Sequence, residues 1–260
     1  MGDDRLRAGK TPRFDVLDVR IDAITTAGAI GVVEEAISSG SKGYVVFCTV
    51  STVLAARDDP AVARAVEEAT IVAPDGMPLV WLGRRRGHDL ERVYGPDFMI
   101  DLISTELRRA RHYFFGGSEQ VVNDLVERLR ARWPDLNVAG FHSPPAGLSA
   151  SHIAEADVER LNGAAADIIW VALGHPKQEL WMAAARPHLD APLLMGVGAA
   201  FDFHSGHKAE APRWMKVSGL QWLHRLLSEP RRLWRRYLVG NTRFVWLLVT
   251  RWFRRRRPGG

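Results

Sequence analysis

The sequence predicts an α/β fold: a Rossmann-like, mostly parallel sheet with flanking helices, followed by a basic amphipathic helical C-terminal appendage. Three observations predict it. Short apolar, β-branched runs alternate with longer stretches of helical periodicity, the order expected of βαβ units. Most of the apolar runs end in Gly, Pro, Asp or a small polar residue. Charge is divided along the chain: from Lys208 to Gly260 there are fourteen Lys and Arg against two acidic residues, a balance of +12, so the net +5 leaves −7 for the preceding part.

The elements follow in order. Helical periodicity predicts a first helix over Thr26 to Ser38, and the apolar run Gly43 to Cys48 predicts the first core strand. A helix over Thr52 to Ala69 leads to a strand at Thr70 to Val72, a helix at Met77 to Arg84 and another at Pro96 to Arg109. The strand His112 to Phe115, the helix Glu119 to Trp133 and the strand Asp135 to Gly140 come next. The helix Ser151 to Asn162, the strand Ala166 to Ala172, the helix Gln178 to His188 and the strand Pro192 to Val197 complete a core over 1–207. The appendage is 208–260. In open parallel sheets ligands bind beyond the carboxyl ends of the strands, where loops meet helix N-termini, so one sheet edge is expected to gather the chemistry.

Composition narrows the class. With 260 residues, 47% hydrophobic and 25% charged, the chain has the make-up of a globular protein large enough for a substantial core. The single Cys48 excludes an internal disulfide, no Cys/His spacing suits zinc, and a reducing cytoplasm is the natural compartment. The first residues lack an apolar export segment. The run Phe244 to Thr250 is closed by Arg251, far short of the roughly 20 residues that span a bilayer. An acidic body with a basic tail is not the pattern of a nucleic-acid coat. Oligomeric state leaves no signal, and a homo-oligomer stays open.

Several loops carry candidate chemistry. Asp75 follows a strand and precedes a helix, a position that suits a general base and equally an N-cap for the Met77 helix. Gly174-His175-Pro176-Lys177-Gln178-Glu179 opens a helix; its backbone N–H groups and Lys177 suit a phosphate cradle, and the same string reads as an ordinary βα turn with Pro at the helix start. His175 reads as a loop side chain. The run Gly196 to Asp202 permits close backbone approach to a ligand but lacks the third small residue of a dinucleotide fingerprint, since Phe201 stands there. No Walker lysine loop, zincin, nucleophile-elbow or D-x-D string is present, so a departing nucleotide diphosphate would depend on protein donors.

After Pro230, Leu233, Trp234, Tyr237 and Leu238 share one face of an ideal helical wheel, and Arg231, Arg232, Arg235 and Arg236 lie about 200° away. Such a helix suits an anionic membrane interface, and it also reads as a docking helix with a solvated arginine face. Trp246, Trp252 and the Arg254 to Arg257 cluster favour the interface.

Six ordered strings, Asp75 to Trp81, Arg92 to Asp97, Phe114 to Gly117, Gly174 to Glu179, Gly196 to Asp202 and Glu229 to Tyr237, resemble the WecG/TagA/CpsF glycosyltransferases (glycosyltransferase family 26), from about Phe14 to Phe244. The resemblance implies inverting, metal-independent transfer without a cofactor, from a UDP-sugar to a polyprenyl-diphosphate-linked saccharide in surface polysaccharide assembly, at the inner face of the plasma membrane. It implies Asp75 as general base. Arg92, Asp97, Gly174, Lys177, Gln178, Gly198 and Asp202 would surround the nucleotide-sugar with Gly76, and Arg231, Arg232 and Arg235 would face the acceptor diphosphate. Family members commonly have Asn after the first core strand; here Thr49-Val50-Ser51 stands instead, and its shorter hydroxyls leave the donor open between N-acetylmannosamine and another hexose or uronic acid. Two other classes compete: a nucleotide-dependent oxidoreductase, which needs a fingerprint the chain lacks, and a non-catalytic membrane or polyanion-binding scaffold.

Overall fold

A computed structural model describes residues 11–145, 147–150 and 153–256, with side chains 254–256 excluded. The sheet has six parallel strands in the order β4-β3-β8-β7-β5-β6: β3 Gly43–Cys48, β4 Ile71–Pro74, β5 His112–Gly116, β6 Val138–His142, β7 Ile168–Ala172 and β8 Leu193–Gly196. Five of the six are buried runs, as parallel strands covered on both faces must be. Alternate residues feed two cores. Tyr44, Val46, Cys48, Phe115 and Trp181 lie in one, with helices α2 Val50–Asp58, α3 Pro60–Glu67 and α8 Lys177–Ala185 over it. Val45, Phe47, Phe114 and Trp170 lie in the other, under α1 Thr26–Ser39, α5 Gly95–Ile103, α6 Glu119–Arg132 and α9 Ala200–His204.

The six core strands stand where the sequence predicts, with shifts of a few residues. The predicted helix Thr52 to Ala69 is two helices, because Pro60 has no N–H to donate and Asp59 caps the second, its Oδ1 accepting from the Ala61 N–H at 2.8 Å. The strand expected from Asp135 begins later, at Val138. The predicted helix start at Ser151 lies outside the described residues; α7 runs Glu155–Gly163. The helices predicted through Arg109 and His188 end earlier, each in a short 3₁₀ turn. An antiparallel hairpin, β1 Arg13–Val16 and β2 Val19–Asp22, is additional. It is fastened to the sheet edge by buried Asp22, which accepts from the Val72 N–H at 2.7 Å and from Arg13 Nε at 2.6 Å.

Gly116 ends β5 at φ +121°, and a Cβ there would stand 2.5 Å from the Ala172 carbonyl oxygen of the neighbouring strand. Gly116→Ala is expected to lower stability by about 2 kcal/mol in a denaturant melt, from backbone strain and the forced overlap.

The tail is folded onto the body. Helices α10 Arg213–Val217, α11 Gln221–Ser228 and α12 Pro230–Trp234 lead through a π-helical turn, Arg235–Val239, into α13 Gly240–Arg256. Phe244 is 3% exposed within the core that α2 covers. Two ion-pair contacts hold α13: Arg243 forks onto Asp58 at 2.5 and 2.6 Å, and Arg251 meets Asp18 of the hairpin turn at 2.7 Å. The ideal wheel does not survive. Leu233 is buried, Trp234 and Leu238 are exposed, and Arg236 turns inward while Arg231, Arg232 and Arg235 stay at the surface. The π turn shifts only the residues from Arg235 onward, where its wider step departs from the roughly 100° per residue of the ideal wheel; the opposite exposures of Leu233 and Trp234 arise before it. Among the described residues, eleven of the twelve exposed large hydrophobic side chains lie after Pro212, among them Trp246 and Trp252; the twelfth is Trp81 of α4 Met77–Arg84. No helix of the described residues is long and apolar enough to cross a membrane.

Candidate active site

Four strand ends build the site. Beyond β3, Thr49 caps α2 reciprocally: its Oγ1 accepts from the Thr52 N–H at 3.3 Å, and Thr52 Oγ1 accepts from the Thr49 N–H at 3.1 Å. That capping box fixes the turn carrying Ser51, whose Oγ accepts from Arg236 Nε at 2.8 Å. Beyond β4, the Asp75 N–H bonds the Cys48 carbonyl at 2.9 Å, extending the strand pairing by one residue.

Asp75 is not a helix cap. Gly76 occupies the N-cap position of α4, with no side-chain capping bond, which leaves the Asp75 carboxylate for other work. Asp75 is 9% exposed, and its carboxylate meets Arg92 Nη2 at 3.3 Å. Burial raises its pKa above the usual carboxylate range, against the opposing pull of the Arg92 guanidinium and the Gly95 N–H. Arg92 is itself held from several sides. Its Nε donates to the Asp75 carbonyl, its Nη2 to Gln221 Oε1 and its Nη1 to the Lys216 carbonyl, and its guanidinium lies 4.4 Å over the Tyr94 ring.

Two clefts meet at Asp75. The first, about 250 Å³, opens between the start of α4 and the tail and is walled by Met77, Pro78, Trp81, Leu220, Trp222 and Tyr237. The second, about 280 Å³, lies over the ends of β7 and β8 and is lined by Gly174, His175, Gln178, Glu179, Gly198 and Asp202. Thr49, Asp75, Tyr94, Arg225 and Arg236 line both, so a ligand in either reaches the same carboxylate. Gly174 and Gly198 have φ of +78° and +56°, conformations that glycine adopts without strain.

Most of the predicted site residues are brought together here. Thr49, Ser51, Asp75, Gly76 and Arg92 line the first cleft, and Gly174, Gln178, Gly198, Asp202 and Arg232 line the second. Four do not line either. Asp97 pairs with Lys216 at 2.9 Å, Lys177 opens α8 outside both clefts, Arg231 is exposed, and Arg235 stacks over Trp234 at 5.3 Å. Arg92 contacts Asp75 and does not line the second cleft. Arg225 and Arg236, which the motif strings do not single out as site residues, stand in the place expected of Arg231 and Arg235. No local signal in the chain points to them, because their place depends on how the tail folds back onto the strand ends.

Residues 14–258 match the model of the Glycosyl transferase WecG/TagA/CpsF family. The chain belongs to this family. Two clefts converge on its Asp75. Among the described residues no group of three or more His, Cys, Asp or Glu could hold a metal ion. The cations beside the clefts are the arginines 92, 225, 232 and 236.

Tyr94 adds a residue that the motif strings contain without a role. Its hydroxyl is buried at the junction of the clefts and has no hydrogen-bond partner among the described residues. Burial, with Asp75 nearby, raises the phenol pKa well above its ordinary value and keeps the O–H a donor. Tyr94→Phe is expected to lower kcat/KM about threefold to tenfold, the worth of one neutral hydrogen bond, with no loss in melting temperature because the hydroxyl has no partner in the free enzyme. Steady-state kinetics beside a thermal melt checks both.

Proposed function

We propose that this protein is an inverting glycosyltransferase that moves a sugar from a UDP-sugar to a polyprenyl-diphosphate-linked saccharide in surface polysaccharide synthesis, needing no divalent metal. The observation that carries the reading is the convergence of two clefts on one buried, elevated-pKa carboxylate. The donor lies in the second cleft, over the open glycine backbone at the ends of β7 and β8. The acceptor lies in the first, between α4 and the tail.

Asp75 takes the proton of the acceptor hydroxyl as its oxygen attacks the anomeric carbon. The bond to the diphosphate oxygen breaks on the opposite face, and its electron pair leaves with UDP; one displacement from the far side inverts the centre. Arg92 holds the Asp75 carboxylate toward the junction. Arg225, Arg232 and Arg236 meet phosphate charge, a role that suits the guanidinium fork. The exposed aromatic and aliphatic side chains of the tail lie against an anionic membrane, at the inner face of the plasma membrane, where the first cleft meets its lipid-linked substrate.

The donated sugar is N-acetylmannosamine or another hexose or uronic acid, and incubation with a panel of UDP-sugars and short-chain lipid-linked acceptors, read by product mass, identifies it. A single inverted product with stoichiometric UDP is expected, with the rate retained in a chelator. If no panel member gives product or free UDP, the transferase reading fails.

A further inference from the structure

The second cleft contains an ionisable pair that the transfer step above leaves unused. His175 lies just past the end of β7, and Glu179 sits one helical turn later in α8. Their side chains meet, with Nδ1 and Oε1 3.1 Å apart. Glu179 is 1% exposed, and its Oε2 has no partner among the described residues. Beside it the Gln178 amide donates from Nε2 to the Gly196 carbonyl at 2.8 Å, which leaves the buried Oε1 also without a partner. All three residues line the cleft.

The pairing assigns the tautomer. An ionised carboxylate only accepts, so Nδ1 carries the proton that bridges to Glu179, and Nε2 is the nitrogen left for a ligand. Once protonated, Nε2 donates a charge-assisted hydrogen bond, the kind that best suits a phosphate oxygen. The charged groups that share this cleft are Asp75, Asp202, Arg225, Arg232 and Arg236, and Asp202 is answered by Lys208 at 3.1 Å.

We propose that His175, its ring oriented by Glu179 and carrying a proton on Nε2 as well as on Nδ1, hydrogen-bonds the departing diphosphate and meets the charge that develops on it. The inference rests on the UDP-sugar reading above. As the bond between the anomeric carbon and the diphosphate oxygen breaks, its electron pair stays with that oxygen, and the Nε2–H lies against the phosphate that receives it. The acceptor proton goes to Asp75, so the step needs no other reactant. His175 touches substrate and is catalytic; Glu179 acts through it and is a positioning residue.

The test is calorimetric binding of UDP and of uridine to the full chain. His175→Ala is expected to weaken UDP about tenfold to a hundredfold and to leave uridine unchanged. His175→Gln keeps a neutral donor and recovers part of the loss. Glu179→Gln shows the same split between UDP and uridine, while a merely structural role would weaken both alike. Equal losses for the two ligands in His175→Ala, or no loss for either, would overturn the proposal. Wild-type protein that binds neither UDP nor uridine would overturn the donor reading itself, and the proposal with it. Melting temperatures confirm that each variant is folded.

Discussion

Asp75→Asn is expected to lose turnover by about a hundredfold to ten-thousandfold, the range of a positioned general base, while keeping its fold and its affinity for the donor. The acid limb of the kcat/KM profile in the wild-type enzyme falls above the usual carboxylate range, because only ionised Asp75 accepts the hydroxyl proton and burial raises its pKa. Below that limb the enzyme is inactive through protonation; in the variant the limb disappears. Stability moves the other way. Since the folded-state pKa is raised, the unfolded chain ionises first, and stability drops as pH climbs from the ordinary carboxylate value through the raised one. The neutral amide escapes that cost, so the variant should melt at or above the wild-type temperature at neutral pH. Near-normal turnover in Asp75→Asn would remove it from the base role.

The second large effect concerns the tail. Deleting everything after Pro230 would remove Leu233 and Phe244 from the core and Arg236 from the clefts, so a lost activity would not separate membrane contact from unfolding. Replacing the exposed Trp246 and Trp252 together by Ser leaves those contacts in place. With 62% and 47% exposure in the free protein, the two residues keep about half or more of their surface for a bilayer interface. Their joint loss is expected to weaken binding to anionic vesicles by about a hundredfold, with an unchanged melt, on the usual scale for burying large apolar side chains. Vesicle sedimentation at two salt concentrations separates this from the arginine contribution, which alone is screened. Binding that is unchanged would take the exposed stripe out of any membrane role.

Locality explains which features are readable in the sequence. Most core strands are apolar runs between two helical patterns, and periodicity separates the two; β6, preceded by Asp135 and Asn137 and only half-buried, is the exception, and its predicted start falls three residues early. The hairpin before them is not readable, because its turn residues Leu17 and Asp18 adopt φ of 50° and 72° without the Gly or Asn that ordinarily announces such a turn. The break at Asp59-Pro60 is written in the chain and hidden by the apolar periodicity running through it. Within the site, the strand-end residues Thr49, Asp75, Gly174, Gln178 and Gly198 are legible, since a parallel sheet directs its strand ends to one edge regardless of the tail. Arg225 and Arg236 are not. Their position depends on how the tail folds back onto strand ends far away in the sequence, and on a helical irregularity that no wheel includes.

The π turn at Arg235–Val239 makes spacing in the tail a functional quantity. Residues before it supply the clefts with Arg225 and Arg232; residues after it seat Phe244 in the core and aim the tryptophans away from the body. A regular α-helix over the same residues would advance about 100° at each one, more than the wide turn does, and would rotate α13 out of the register that seats Phe244. A chain with every side chain intact would then be unable to satisfy its core and its clefts at once. The winding of this short segment therefore decides whether the core and the clefts can be satisfied together.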